Sequence, residues 1–428
     1  MRITKEDFLN IEKIIDLYQK KIDLNFTISK PEYERRYKEV WKLLEEHDVD
    51  FAFYYWYREH PADGVYLTGY NPTLERASGI ISPNKRPMLL VGPESGILAE
   101  ETGLNLPTAF VDEFAFPGEY YEGVELKEML SEVKTYVGHD IKKIACLTQH
   151  DYIPCEYYEK FTYGMNPDAE VVNLSEEYRN IRFNKSDEEF LALEYADIIA
   201  SAATRAMLAV SRPGLRELQI AAVGDYVAKA LGAESYGCET IVTSADRCRT
   251  VIGPATNRVI QEGDIVQISS SPSFQCYKGM CRRAFVMGTP SQLQEEFFEI
   301  LVEGYEIAKN TLARICETGE SNALVDLEPR TYFGTKELDG ENMADYHFFS
   351  DSHGVGLSEC LEPMLVHPYI EQYYVENCGM RIDLGLYLHP NTEICGASIE
   401  SSFEKKGRKL RCTTDLPANV QSLVGKDI

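Results

Sequence analysis

The chain has 428 residues, long enough for two domains with substantial cores, and its 44% hydrophobic and 26% charged composition is that of a folded globular protein. A formal net charge of -26, from 69 acidic against 43 basic residues, repels phosphate backbones and anionic lipid and argues against nucleic-acid or membrane partners. The start, Met1-Arg2-Ile3-Thr4, carries no apolar leader, and no run reaches the ~18 apolar residues of a membrane span, so a cytoplasmic protein is expected. The 11 cysteines are odd in number, scattered and without a C-x-x-C pair, which fits free thiols in a reducing compartment better than a disulfide framework or zinc cluster.

Taken in chain order, Pro31 to Asp50 predicts an amphipathic helix, with Tyr37, Val40, Trp41, Leu43 and Leu44 on its apolar face. Asp50 to Trp56 predicts a buried strand, and Gly64 to Tyr70, Gly79 to Ser82, Pro87 to Val91, Lys142 to Thr148 and Glu170 to Leu174 predict further strands. A helix over Glu125 to Tyr136 between them gives an α/β alternation, so residues 1–180 are expected to form an α/β domain. Ser186-Asp187-Glu188-Glu189 reads as a capping box opening a helix that runs to about Val210 and stops before Pro213-Gly214. Beyond it the pattern predicts a helix over Leu215 to Ala230 and strands over Glu239 to Thr243, Asp264 to Ser270 and Arg283 to Met287. A long helix from Pro290 to about Gly319 follows, then strands over Tyr346 to Leu357, Gly379 to Leu388 and Gly396 to Phe403. Residues 181–428 are expected to form an α+β domain with helices over a curved antiparallel sheet.

Five segments fall in a telling order: Tyr66-Leu67-Thr68-Gly69-Tyr70, Asn184-Lys185-Ser186-Asp187-Glu188-Glu189, Arg212-Pro213-Gly214, Gly263-Asp264-Ile265-Val266 and His353-Gly354-Val355-Gly356-Leu357. Together they resemble the landmarks of the creatinase, Xaa-Pro peptidase and methionine aminopeptidase superfamily. The resemblance implies an amino-terminal domain on a pita-bread catalytic-type domain, usually in a homodimer. Typical peptidases of that family hold two divalent metal ions with two Asp, one His and two Glu, hard ligands that make a bound water a hydroxide nucleophile.

Carried over position by position, the resemblance puts Ser269 and Met280 where the two Asp should stand, and no Asp or Glu occurs from Ile265 to Leu293. His353 keeps the histidine, Asp383 corresponds to the first Glu and Glu400 to the second. The family's proton-transfer histidine corresponds to Ile252. No metal or other cofactor is therefore expected, and the resemblance to creatinase, the metal-free member, implies hydrolysis of a C–N bond in a small polar, carboxylate-bearing substrate or short peptide. His353, Asp383 and Glu400 are the candidate catalytic groups, since imidazole titrates near neutral pH and paired carboxyls can divide acid and base roles.

Around them the sequence is basic. Strand alternation puts Met280 and Arg282 on one face and Cys281 and Arg283 on the other. Arg282, Arg249 and Arg76, the last resembling a creatinase residue that reaches a substrate carboxylate across the dimer, are the candidate substrate-binding groups. An internal salt bridge of Arg282 with Asp383 or Glu400 is the alternative for that residue. Cys248, between Arg247 and Arg249, is a candidate thiol nucleophile only if a base lies near it. Two other readings stand beside the hydrolase: a non-catalytic binding protein on the same fold, and an ordinary dipeptidase that cleaves before proline.

Overall fold

The computed structural model describes residues 1–360, 362 and 364–426. Its contacts divide the chain into two units, Ile28–Arg182 and a second that joins Met1–Thr27 with Phe183–Ile428. The upper boundary falls close to the expected 180/181 junction, but the first twenty-seven residues go with the second unit rather than the first. The helix Lys5–Gln19, capped by Thr4 and Asp7, carries Ile11, Ile14 and Tyr18 on one stripe and buries all three in the second unit's core.

The unit Ile28–Arg182 is built on a six-stranded sheet of β1 (Phe51–Trp56), β2 (Ala77–Ile81), β3 (Met88–Val91), β4 (Thr108–Phe110), β5 (Lys143–Cys146) and β6 (Glu170–Asn173), in the order β4-β3-β2-β1-β5-β6. The central strand β1 runs antiparallel to β2 and parallel to β5, and all six of its residues are buried. The helix Lys30–Glu46 forms where the sequence predicts it, with Ser29 as N-cap. The segment Gly64 to Tyr70 does not form the expected strand. It is the helix Ala62–Thr68, ended by Gly69 at φ 65, whose N–H donates to the Val65 carbonyl. A short apolar run fits a buried helix as well as a strand, and here glycine decides: Gly69 supplies the left-handed cap. Gly64 lies against Trp56, where any Cβ would come 1.8 Å from the ring.

The second unit contains a curved antiparallel sheet. Its strands are β7 (Ile241–Ser244), β8 (Ile265–Ser270), β9 (Cys281–Val286), β10 (Ser352–Val355), β11 (Asn377–Tyr387), β12 (Gly396–Lys406) and β13 (Lys409–Cys412). They are ordered β10-β11-β12-β9-β8-β7, with β13 on β12. The helices Asp187–Val210 and Glu217–Ala230 pack with Val266, Ile268, Cys281 and Phe285 in one core, and Ser186 and Glu189 form the expected capping box. The helix Gln292–Thr318, stopped by the left-handed Gly319, packs with Met380, Ile382, Leu384 and Leu386 in another. Alternation along β11 leaves Arg381 and Asp383 to the face away from the helix Gln292–Thr318, and along β9 it puts Arg282 on the face opposite Cys281 and Phe285, which face the helices Asp187–Val210 and Glu217–Ala230. The sequence did not anticipate the helix Leu324–Phe333, which holds Pro329 in its interior. Among the described residues no helix is long and apolar enough to cross a membrane.

Candidate active site

Four strands bring one polar row together. Ser269 on β8 lies opposite Arg282 on β9, Arg282 opposite Glu400 on β12, and Glu400 opposite Asp383 on β11. Directly paired residues share a sheet face and sit about 5 Å apart, so the register alone assembles the row. One strand further, His353 on β10 pairs with Arg381, which shares a face with Asp383 two residues on. All six side chains are buried or nearly so.

Within this row Arg282 donates from Nη1 to Asp383 Oδ1 at 3.1 Å and Oδ2 at 3.3 Å, and its Nη2 lies 3.4 Å from Glu400 Oε2. His353 Nε2 faces Glu400 Oε1 at 3.6 Å, an electrostatic contact beyond direct hydrogen-bond reach, while Nδ1 sits 3.2 Å from the Gly354 carbonyl oxygen. Arg381 lies 3.9 Å from Glu400, donates to the Lys278 carbonyl at 2.8 Å and pairs closely with Glu359. Glu359 in turn accepts from Ser271 Oγ at 2.6 Å. The alternation argument for Arg282 holds, and so does the alternative of an internal salt bridge. Its guanidinium is engaged by two carboxylates, the salt-bridge alternative to its candidacy for a substrate anion.

The two acids diverge in proton affinity. Burial raises Asp383 to about 6, with Arg282 pulling it down and the Glu400 charge pushing it up. Burial also raises Glu400, but Arg282, His353 and Arg381 together outweigh it and bring this carboxyl down to about 2. One carboxyl thus holds its proton far more readily than its neighbour, the arrangement that separates an acid from a base. The titration belongs to the pair, because each charge acts on the other.

Residues 192–404 match metallopeptidase family M24. The chain is 26% identical over 352 residues to a Xaa-Pro dipeptidase of Pyrococcus horikoshii, covering 82% of this chain and 90% of that one. It is 29% identical over 219 residues to a Xaa-Pro dipeptidase of Pyrococcus furiosus, 51% of this chain and 60% of the relative. Its fold superposes on an X-Pro aminopeptidase from Thermotoga maritima with a TM-score of 0.75 at 21% identity, covering 90% of this chain and 99% of the other. It also superposes on a prolidase from Pyrococcus horikoshii with a TM-score of 0.72 at 22% identity, covering 91% and 100%. Over residues 192–404 the chain carries an M24 domain, and in sequence and fold it is similar to the creatinase and Xaa-Pro peptidase superfamily.

The paired metal ions of that superfamily do not fit this cluster. Among the described residues the one group of three or more metal-capable side chains is His353, Asp383 and Glu400, whose donor atoms lie within 4.8 Å of one another. The other two positions are a buried serine and a buried methionine. Ser269 has an Oγ with no hydrogen-bond partner, and Met280 has its N–H held at 3.1 Å by Asp197 Oδ1. The Arg282 guanidinium, a cation already, is in contact with both remaining carboxylates.

Within the unit that holds the cluster, Arg249 and Cys248 stand outside it among the described residues. Arg76, in the unit Ile28–Arg182, is exposed and lies beside Tyr55 and Tyr157. Arg249 is exposed at the end of the turn Ala245–Arg249 and makes none of the cluster's hydrogen bonds or ion pairs among the described residues. Cys248 is fully buried, its Sγ 3.4 Å from the Ile265 carbonyl, and burial pushes the thiol far up, so it lacks the electropositive setting a nucleophile needs. Arg247 is turned away to Glu217 and the Pro254 carbonyl. Ile252 is 68% exposed. Arg283 holds structure, as expected for the opposite face of β9. Its donors reach the carbonyls of Glu400, Leu416 and Pro417 at 2.6–2.7 Å.

Three residues escaped the sequence reading. Arg381 could have been found, being two residues before Asp383 and so on its face. Glu359 and Cys238 carried no such signal, because loops deliver them. Cys238 lies in the field of Glu359, Arg282, Glu400 and Arg381, and burial, with Glu359 next, raises its thiol to about 12.

Proposed function

We propose that the chain hydrolyses an amide or related C–N bond of a small, polar, dipeptide-like substrate without the metal pair used by typical members of that superfamily. The observation that carries this reading is the convergence of His353, Asp383 and Glu400 around Arg282, in a chain whose matched relatives are called Xaa-Pro dipeptidases. In this scheme His353 takes a proton from the attacking water, whose oxygen bonds to the carbonyl carbon. Asp383, the carboxyl with the higher proton affinity, gives a proton to the departing nitrogen as the C–N bond breaks. Glu400, held ionised, faces and orients the imidazole. Arg282 fixes the two carboxylates rather than the substrate. Arg249 and Arg76, both exposed, are the candidates for a substrate carboxylate, Arg76 on the strength of the creatinase resemblance alone.

Two other readings have their own support. The closed ionic net of Arg282 with Asp383 and Glu400 favours a binding protein that has kept the fold without turnover. The names of the relatives favour an ordinary Xaa-Pro dipeptidase, which would need metal ions where Ser269 and Met280 stand. We further infer a cytoplasmic homodimer, supported by eleven free thiols and by the resemblance respectively.

A panel of Xaa-Pro and other dipeptides, with N-methyl and amidino compounds, assayed with chelator or with added Mn2+, separates the three. Turnover that resists chelation and is lost in His353→Ala supports the proposal. Turnover that requires Mn2+ overturns it in favour of the dipeptidase, and specific binding without turnover favours the binding protein.

A further inference from the structure

We propose that Arg282 is the built-in cation of this site, occupying with its guanidinium the position from which a single divalent ion would otherwise hold His353, Asp383 and Glu400. The inference rests on the metal-free reading above and concerns the chain's own way of meeting the charge of its acids.

Three observations support it. His353, Asp383 and Glu400 present one donor atom each within a span of 4.8 Å, close enough for one ion to draw together. An imidazole and two carboxylates are a set that borderline divalent ions accept. The side chain that reaches between the two acids, at 3.1 and 3.4 Å, carries a positive charge of its own. A planar guanidinium can serve two carboxylates at once, as a point charge such as lysine cannot. The register explains how a single residue accomplishes this. Arg282 lies directly opposite Glu400, which lies directly opposite Asp383, so its side chain needs to extend along the row by only one further strand. Ser269, the residue on its other flank, brings no charge to compete for it.

The position is therefore exclusive: guanidinium or ion, not both. Cobalt(II) is a suitable probe because its visible absorption reports ligand number and type. Wild-type protein titrated with Co2+ is expected to show no ligand-field band and no shift in melting temperature. Arg282→Ala is expected to bind one Co2+ per chain, to show the band, and to melt higher with the metal than without it. Adding His353→Ala to that variant should abolish the band. If Arg282→Ala does not fold, Arg282→Met with Glu400→Gln removes one buried acid along with the cation and leaves His353 and Asp383 to give a weaker band.

A band in the wild type that disappears with His353→Ala overturns the proposal, because ion and guanidinium would then coexist. A folded Arg282→Ala, or failing that a folded double variant, that stays colourless overturns it as well. Neither result depends on turnover. Chelator-resistant hydrolysis by a wild type whose variants bind no cobalt would leave the proposed reaction standing and remove only the role given to Arg282.

Discussion

The two sides of the polar row have fared differently. On β11 and β12 the acids Asp383 and Glu400 remain, with His353 on the adjacent β10. On β8 and β9 the matching acids are absent, and Ser269 and Arg282 face them across the sheet. The backbone that carries both sides is the same continuous antiparallel sheet, so position was kept while charge was redistributed. What the difference teaches is that buried carboxylates in one fold can be neutralised in two ways, by bound ions or by a guanidinium. In this chain Ser269 brings no charge to the row and Arg282 brings a positive one.

The comparison can be broken most forcefully at Arg282. Arg282→Ala leaves two buried carboxylates without their cation and should cost about 3 to 5 kcal/mol in denaturant unfolding. If the two sides are matched as described, Asp383→Asn and Glu400→Gln added to that variant should recover much of the loss, a coupling that a double-mutant cycle measures directly. A loss below 1 kcal/mol would show that the acids do not depend on the facing strand.

Next in size, His353→Ala should lower turnover about a hundredfold or more while leaving the unfolding midpoint close to wild type, measured on whichever substrate the panel identifies.

The two acids should also leave opposite marks on stability against pH. Asp383 has a raised folded value, so the folded state holds its proton more tightly than the unfolded chain. Its contribution is favourable at low pH and is lost as pH rises through about 6. Glu400 has a lowered value, so its contribution is present above the ordinary carboxylate range and is lost as pH falls toward about 2. Comparing unfolding of wild type, Asp383→Asn and Glu400→Gln between pH 3 and 7 tests the signs. Reversal of either would undo the division of roles between acid and base.

The smallest effect is expected on the other side of the row. Ser269→Ala removes a buried hydroxyl that has no partner, and stability should stay level or rise by at most about 1 kcal/mol.

Much of this scaffold was legible in the sequence, and the reasons are local. Ser186 with Glu189 marks a helix start, Gly319 a helix end, and the period-2 pattern of β11 separates Met380, Ile382 and Leu384 from Arg381 and Asp383. Where a segment's environment decides its form, the local signal misleads. The run from Gly64 to Thr68 lies in the helix Ala62–Thr68, packed by Gly64 against Trp56 and ended by the left-handed Gly69, and the helix Leu324–Phe333 tolerates Pro329 in its interior. At the site, alternation delivers Arg282 to the right face, but its engagement with both acids depends on a register across strands more than a hundred residues apart. The same non-locality hid Glu359 and Cys238.

Arg283 gives the chain end a stake in the cluster. Its guanidinium ties the carbonyls of Leu416 and Pro417 to that of Glu400, all in the residue next to Arg282. Cutting the chain before Leu416 would leave that guanidinium two acceptors short, held only by the carbonyls of Arg282 and Glu400 and the Ser401 hydroxyl. A shortened carboxyl terminus should thus disturb the ionic row, though no residue of the row has been removed. For anyone building variants, the tail is part of the wall.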